Sequence, residues 1–300
     1  MHAADIFGAL SKSGARLTTS LDEDYPSRLR ELPDPPPVLY ALGVLTACEP
    51  PVVAIVGTRD ATPYGERVTR AIASALARAG ACVLSGLARG IDAAAHRAAL
   101  DVGGRTCAVL GTGIDVPYPA AHQALHEAIA RRGLLLSEHA PGERATAGSF
   151  PRRNRIIAAL ADVTIVVEAG ARSGALITAG HALDLGRAVA AVPGPIDAPA
   201  SAGSNELLRD GAVVIASPDD ALALVGLTSA PPHGRHAALQ ELAADDRAVW
   251  DALAHPAPDL DTLSARSRLP ARRCLTSVTT LELAGLVSCE LTGEVRRTGT

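Results

Sequence analysis

From Pro51 to about residue 227, short runs of β-branched apolar residues alternate with longer stretches rich in Ala and Leu. No other feature of the chain constrains its fold so tightly. The strand candidates are Val52–Val56, Ala81–Ser85, Thr106–Leu110, Leu134–Ser137, Thr164–Glu168, Ala188–Val192 and Ala212–Ile215. Helical stretches lie between them at Gly65–Ala79, Gly90–Val102, Pro119–Arg132, Arg153–Ala161, Ile177–Leu185 and Asn205–Arg209. Strands that are apolar throughout, rather than alternating, are buried on both faces. The pattern therefore predicts an α/β fold with a doubly wound, mostly parallel sheet. Turn residues follow several strands: Gly57-Thr58-Arg59, Ser85-Gly86-Leu87, Gly111-Thr112-Gly113, Ala140-Pro141-Gly142 and Pro193-Gly194-Pro195. In such sheets ligands bind beyond the carboxyl ends of the strands, so these loops are expected to line one edge.

The regions on either side read differently. Residues 1–50 predict a short helix around Ile6–Ser11, then an extended strap in which Pro33, Pro35, Pro36 and Pro37 forbid helix. The sheet pattern ends at Pro218–Gly226, and Thr228–His236 has the Ser/Pro/Gly/His composition of a linker. Beyond it, helices are expected at Gln240–Ala254, Leu260–Arg266 and Pro270–Ala284, with a hairpin over Leu286–Val295 turning at Thr292-Gly293. Three helices and a hairpin suggest a small winged helix. The expected organisation is an N-terminal segment 1–50, a sheet domain 51–227, a linker 228–238 and a winged-helix-like domain 239–300.

Composition narrows the function. With 48% hydrophobic and 20% charged residues the chain has material for a large core and is not disordered. It has no apolar run long enough to span a bilayer and no basic–apolar leader near Met1, so a cytoplasmic location is expected. Five cysteines, Cys48, Cys82, Cys107, Cys274 and Cys289, lie far apart without C-x-x-C spacing, so neither a disulfide framework nor a zinc site is expected. The formal net charge is −4, so any nucleic-acid binding must be local. Lys12 is the single lysine among 28 basic residues. Arginine suits phosphate and stacks on bases, but a GC-rich genome also accounts for the bias. Aromatics make up 2%, with Phe7 and Phe150 the two phenylalanines, which leaves no stacking surface of several rings.

Five motifs carry chemistry. Gly57-Thr58-Arg59 precedes a helix, and either binds a phosphate or is a plain strand–helix turn. Arg59 stands where a dinucleotide fingerprint has its second glycine. Ser85, Gly86 and Arg89 suit an anion, with Asp92 and His96 bracing the loop; Ser85, Asp92 and His96 lack the nucleophile elbow of a triad. Gly111-Thr112-Gly113 is a weak phosphate-loop candidate, and His122 and His126 fit a solvated helix face. Ser149-Phe150-Pro151-Arg152-Arg153-Asn154-Arg155 places three arginines in four residues beside an aromatic and an amide, as a single-stranded nucleic-acid site requires. Positive charge at a helix start opposes the dipole by tenths of a kcal/mol, roughly, which points to function rather than stability. The loop Glu168-Ala169-Gly170-Ala171-Arg172-Ser173-Gly174 enters a helix and again reads as an anion loop or a glycine-rich turn, with Glu168 a lone candidate acid.

Taken in order, Val53-Ala54-Ile55-Val56-Gly57-Thr58-Arg59, Ser85 to Asp92, Phe150 to Arg155, Glu168-Ala169 with Ser173-Gly174, and Ala191-Val192-Pro193-Gly194 resemble the DNA-processing protein A family (DprA, also called Smf). The likeness runs from about Asp22 to Val225, and the C-terminal region is similar to the family's optional winged helix. The resemblance implies a Rossmann-like sheet domain and a bacterial cytosolic protein that binds single-stranded DNA. It further implies protection of incoming DNA during natural transformation, loading of the RecA recombinase, and a homodimer through the sheet domain. It implies no catalytic residue, cofactor or metal. Carried onto this chain, the DNA site comprises Gly57, Thr58, Arg59, Ser85, Gly86, Arg89, Phe150, Arg152, Arg153, Asn154, Ser173 and Gly174. Thr58, Thr62 and Ala175 depart from the family's commoner serines. The few residues before Leu21 do not match the family's N-terminal helical domain.

Two rivals remain open at this stage. One is a nucleotide-processing enzyme of the related phosphoribohydrolase-like sheet family, although the loop after Glu168 lacks that family's glycine pair and trailing Glu. The other is a duplex-DNA regulator acting through Arg272 and Arg273 of the winged helix. The apolar stretch from Ala212 to Val225 is expected to serve either the dimer or the core. Arg59 and Phe150–Arg155 are expected in one pocket, with Arg59→Ala and Arg153→Ala weakening binding and leaving the melting temperature nearly unchanged.

Overall fold

The computed structural model describes residues 6, 8, 10–11, 13–146, 148–228, 242–255, 257, 259–283, 286–289 and 294–297, without the side chain of Leu283. The chain forms two compact units, residues 1–230 and 231–300. Most of the expected linker, the start of the helix expected at Gln240, the Ala284 helix end and the Thr292-Gly293 turn lie outside the described residues.

Among those residues the first unit is built on a nine-stranded sheet. Its strands are β1 (Arg16–Thr19), β2 (Val38–Gly43), β3 (Val52–Val56), β4 (Cys82–Ser85), β5 (Thr106–Leu110), β6 (Leu134–Ser137), β7 (Val163–Val166), β8 (Ala188–Ala191) and β9 (Val213–Val214). The order is β1-β2-β6-β5-β4-β3-β7-β8-β9. Strands β3 to β9 run parallel to one another. Helices α1 (Pro63–Arg78), α2 (Ile91–Asp101), α3 (Gln123–Arg132), α4 (Ser149–Leu160), α5 (Gly174–Asp184), α6 (Ala202–Arg209) and α7 (Pro218–Ala223) complete the Rossmann-like fold.

Burial on both faces follows from the apolar runs. Val52, Ala54 and Val56 of β3 pack with Ile156–Leu160 of α4 and Ala175 and Ala179 of α5. Val53 and Ile55 pack on the other face with Ile72 and Leu76 of α1 and Ala95 of α2. Each fully buried Val or Ile contributes about 1.5–3 kcal/mol, so a polar residue at any of these β3 positions breaks a layer.

The N-terminal region departs from the expected strap. Residues 16–43 add β1 and β2 to the sheet in antiparallel sense, β2 pairing with β6. The sheet thus begins well before residue 51. Neither strand shows a clear alternation, and β1 is four residues long, so its pairing with β2 rather than its own pattern defines it. Helix α4 also begins earlier than expected, at Ser149 instead of Arg153. Gly148 at φ 93° turns the chain into it, and the Ser149 hydroxyl accepts the Thr146 N–H at 2.9 Å. The arginine motif therefore lies inside the helix rather than in a loop before it.

The second unit is a winged helix. Its helices α8 (Ala244–Ala252), α9 (Leu260–Ser267) and α10 (Ala271–Leu283) precede antiparallel β10 (Val287–Cys289) and β11 (Val295–Arg297). Val249, Leu263, Cys274, Val278 and Val295 form its core. On α10, Arg273 pairs with Asp245 at 2.5 Å, which ties down one of the two arginines considered for duplex DNA. No helix among the described residues is long and apolar enough to cross a membrane.

Candidate nucleic-acid interface

The strand order reverses at β3, whose neighbours are β4 on one side and β7 on the other. Loops leaving β3 and β7 must therefore part, and a crevice forms between them. There the structure has a cleft of about 630 Å³, lined by Gly57, Thr58, Arg59, Arg172, Ser173 and Gly174 from those loops. A second hollow of about 290 Å³ lies beside it, bordered by Gly86, Arg89 and Tyr118. Arg59 and Phe150 line both. Four arginines (59, 89, 153 and 172) and two aspartates (60 and 92) are the charged residues lining the pair, so the site is locally positive within a chain of net charge −4.

The guanidinium of Arg59 sits over the Phe150 ring, 5.4 Å from its centroid. Tyr118 also packs against Phe150, with ring centroids 5.0 Å apart and planes tilted by 35°. Tyr118 was not among the expected site residues. It stands about thirty residues from Phe150 in sequence, in the loop after β5, and the fold brings the two rings together as a single pair. Tyr118 is 47% exposed. Arg172 was also missed as a site residue; its signal was an arginine inside a glycine-rich loop that enters a helix. Neither Arg59 nor Arg172 is ion-paired among the described residues, whereas Arg89 lies 3.7 Å from Asp60.

The N-terminus of α5 completes the cleft. Ser173 caps it, its hydroxyl accepting the Ala175 N–H at 3.3 Å. A Cβ on Gly174 would meet nothing within 4 Å, so this turn faces open space. Gly57 is different. A Cβ there would lie 2.6 Å from Ile91 Cγ1 and 2.8 Å from the Glu168 carbonyl oxygen, so packing within the protein requires this glycine. The Thr58 N–H donates to that same carbonyl at 2.7 Å.

Several expected site residues hold the cleft together instead of lining it with free donors. Arg153 is 3% exposed. Its guanidinium donates to the Gly86 carbonyl at 2.8 Å and to the Val109 carbonyl, and its Nε donates to Asn154 Oδ1 at 3.2 Å. Burial pulls its pKa down to about 10, against the charge of Asp92. Burial also raises the Asp92 carboxyl, while the Arg153 charge works in the opposite direction. Asp92 accepts the N–H groups of Gly86 and Ala88 at 3.1 and 3.3 Å, which braces the loop after β4. Asn154 donates to the Gly174 carbonyl at 3.2 Å. Arg153 and Asn154 thus pin α4 to the ends of β4, β5 and α5 beneath the cleft.

Two expected residues do not reach it. Ser85 is fully buried and its hydroxyl donates to the Ile55 carbonyl at 2.6 Å, so its one proton is committed within the sheet. Arg152 lines neither hollow. It lies 3.7 Å from Glu138 and 3.6 Å from Asp34, while Arg155 lies 2.8 Å from Glu138. Successive helix positions point about 100° apart, so once the segment is helical Arg153 diverges from Arg152 and Arg155, which lie three positions apart on one face and meet the same carboxylates. The charge misfit at this helix start is thereby answered locally by Glu138, Asp34 and Asp92.

The groups that suggested catalysis are likewise occupied. The Glu168 carboxylate accepts the Thr62 N–H at 3.0 Å and the Thr62 hydroxyl at 2.6 Å. A Cβ on Gly65 would collide with that carboxylate. His96 bonds Thr106 at 2.8 Å, not Asp92, and His122 and His126 are buried against the carbonyls of Leu87 and Ile114, not solvated.

Fold and site define a class: a Rossmann-like sheet with an arginine- and aromatic-lined cleft at its switch point, followed by a winged helix. Residues 16–226 match the family described as DNA recombination-mediator protein A, and residues 232–297 match the DprA winged helix domain. The chain belongs to the DNA recombination-mediator protein A family. It is 44% identical to a putative DNA processing protein DprA of Mycobacterium tuberculosis, over 96% of this chain and 78% of that one. The crystal structure of DprA from Streptococcus pneumoniae is 42% identical, with TM-score 0.68, covering 72% of this chain and 77% of that one. DNA processing protein A from Helicobacter pylori, whose structure describes a single-stranded DNA binding mode, is 35% identical with TM-score 0.62, over 68% and 93%.

Proposed function

We propose that this chain binds single-stranded DNA in the switch-point cleft, without base specificity, and acts as a recombination mediator in DNA processing. The observation that carries the reading is Arg59 stacked on Phe150 beside Arg172, which has no ion-pair partner among the described residues, at the N-terminus of α5. Arginines there meet phosphates, and the Phe150–Tyr118 pair offers ring faces that any base can stack on. The family and the DNA-binding relative support the same reading. In this reading the protein is not an enzyme, works in the cytoplasm, protects incoming DNA during natural transformation and loads RecA onto it.

We further propose that it acts as a homodimer through the sheet domain. Edge strand β9 has Val213 and Val214 at 44% and 51% exposure, and α5 adds Ile177 and Leu183 at 44% and 58%. An open edge beside exposed apolar side chains invites pairing. Ile215, Ala221 and Leu222 of the same expected stretch are instead buried in the core. Light scattering of the full chain at micromolar concentration tests this: a monomer contradicts it.

Gel shifts with single-stranded and duplex DNA at two salt concentrations test the main reading. Tighter duplex binding, or a flat salt response, contradicts it. RecA loading is tested by RecA ATP hydrolysis on DNA covered by single-strand-binding protein, which this chain is expected to accelerate.

A further inference from the structure

Outside the cleft, the loop that leaves β8 at Pro193 is held in one conformation. The Gly194 N–H donates to the Asn205 side-chain carbonyl at 3.1 Å, and the Asn205 amide donates back to the Gly194 carbonyl at 3.0 Å. A Cβ on Gly194 would collide with Ser201, so the backbone lies directly against the N-cap of α6. Two turns close the rest of the loop: the Ala198 N–H donates to the Pro195 carbonyl at 3.2 Å, and the Ser201 N–H to the Ala198 carbonyl at 2.9 Å. Pro195 and Pro199 fix their own φ angles. This braced loop presents Ile196 at 99% exposure.

An exposed isoleucine by itself is ordinary. What lies on either side gives this one a use. On one side, Pro199 of the same loop lines the cleft. On the other, the Tyr64 hydroxyl donates to the Pro193 carbonyl at 2.9 Å, which ties the loop to the first turn of α1. The guanidinium of Arg67 lies over the Tyr64 ring, 5.6 Å from its centroid. The adjacent Glu66 faces Arg70 at 4.0 Å, and Arg67 is exposed with no ion-pair partner among the described residues. Pro193 and Pro199 each stand three residues from Ile196, a span of at most about 10 Å. Ile196 therefore lies between the cleft wall and a second arginine–aromatic stack, built like that of Arg59 on Phe150.

We propose that Arg67 and Ile196, positioned by Tyr64, form a second contact site for single-stranded DNA, on which the strand lies once it has left the switch-point cleft past Pro199. The proposal rests on the reading of that cleft as a single-stranded DNA site. Arg67 meets a phosphate, and stacking on Tyr64 holds its planar fork in place before the strand arrives. Ile196 packs against a base through apolar contact, which every base offers, so the site adds affinity without base specificity. The exposed Asp197 carboxylate beside Ile196 repels phosphate. The backbone of the strand is thus directed to α1 and its bases to the loop. A loop already ordered by Asn205 and Tyr64 loses little freedom on binding. A duplex keeps its bases stacked on one another and offers Ile196 no base face, so the site favours single strands.

Fluorescence anisotropy of the full chain with a labelled oligothymidylate of about 16 nucleotides, read across a salt series, tests this. Ile196→Ala is expected to weaken binding about tenfold with an unchanged slope of log affinity on log salt, because an apolar contact releases no counterion. Arg67→Gln is expected to weaken binding and to lower that slope by about 0.7, one phosphate contact. Both variants are expected to keep the wild-type melting temperature and the wild-type mass in light scattering, since both side chains are exposed. Wild-type affinity in both variants, while Arg59→Ala weakens binding, overturns the second contact site and leaves the cleft reading standing. A wild-type chain that does not bind the oligothymidylate removes the cleft reading and this proposal with it. Loss of affinity in Ile196→Ala together with dissociation of a dimer assigns Ile196 to contact between copies and overturns the DNA contact.

Discussion

Arg59 and Arg153 are both arginines beside one cleft, and the structure gives them opposite work. Arg59 lies over the Phe150 ring at the mouth, with no carboxylate partner among the described residues. Arg153 lies below, 3% exposed, bonded to two backbone carbonyls and close to Asp92. An arginine becomes a ligand group when its donors are left unmet at an open surface. It becomes a brace when folding has already met them. Above the floor the expected readouts are affinity and salt; below it they are stability and pH.

The largest expected effect is from Arg153→Ala. It removes the buried bonds to the Gly86 and Val109 carbonyls and leaves those acceptors without this donor, a loss of about 1–3 kcal/mol for each. Thermal or denaturant unfolding measures it. A melting temperature unchanged from wild type would return Arg153 to the ligand class and erase the contrast. This reverses the expectation from sequence, which treated Arg153 as a loop residue that buries little.

The same buried layer makes stability fall with acid. Burial, first, and the Arg153 charge, second, lower the His96 pKa from 6.5 to about 3. Below 6.5 the unfolded chain binds a proton that the folded chain refuses. Stability is then lost as pH falls toward 3, by up to about 1.4 kcal/mol per pH unit. Denaturant unfolding between pH 7 and 4 shows this slope, and His96→Gln is expected to reduce it.

At the mouth, Arg59→Ala is expected to weaken single-stranded DNA binding by about 1–3 kcal/mol with an unchanged melting temperature. Arg172→Ala is expected to lower the salt dependence by one phosphate contact, a change of about 0.7 in the slope of log affinity on log salt. Fluorescence anisotropy across a salt series reads both. Arg152→Ala closes the series with the smallest change, within about 0.5 kcal/mol in affinity, because Arg152 lines neither hollow and its own side chain is exposed in its ion pairs. A loss from Arg152→Ala as large as that from Arg59→Ala would mean that the motif acts as one basic patch after all.

Much of this was legible beforehand. Runs such as Val52–Val56 and Thr106–Leu110 announce strands buried on both faces, and their observed limits coincide with the apolar runs. Gly57-Thr58-Arg59 and Ser173-Gly174 could be placed at strand ends and hence at one edge, where the cleft lies. Strand β1 was not legible, because one exposed and three half-buried residues acquire their definition from pairing with β2. Nor was Tyr118, whose use depends on a ring that approaches from α4.

The sequence by itself determined the parallel sheet, its order of strands and helices, and the edge that carries the loops. Those properties follow from local periodicity and turn chemistry, which are short-range. Only the tertiary structure decided which arginine faces outward and that Ser85 bonds within the sheet. Each of these depends on what another element places opposite the side chain. The rotation of about 100° per residue that sends Arg152 and Arg153 apart exists only once Gly148 has started the helix before them.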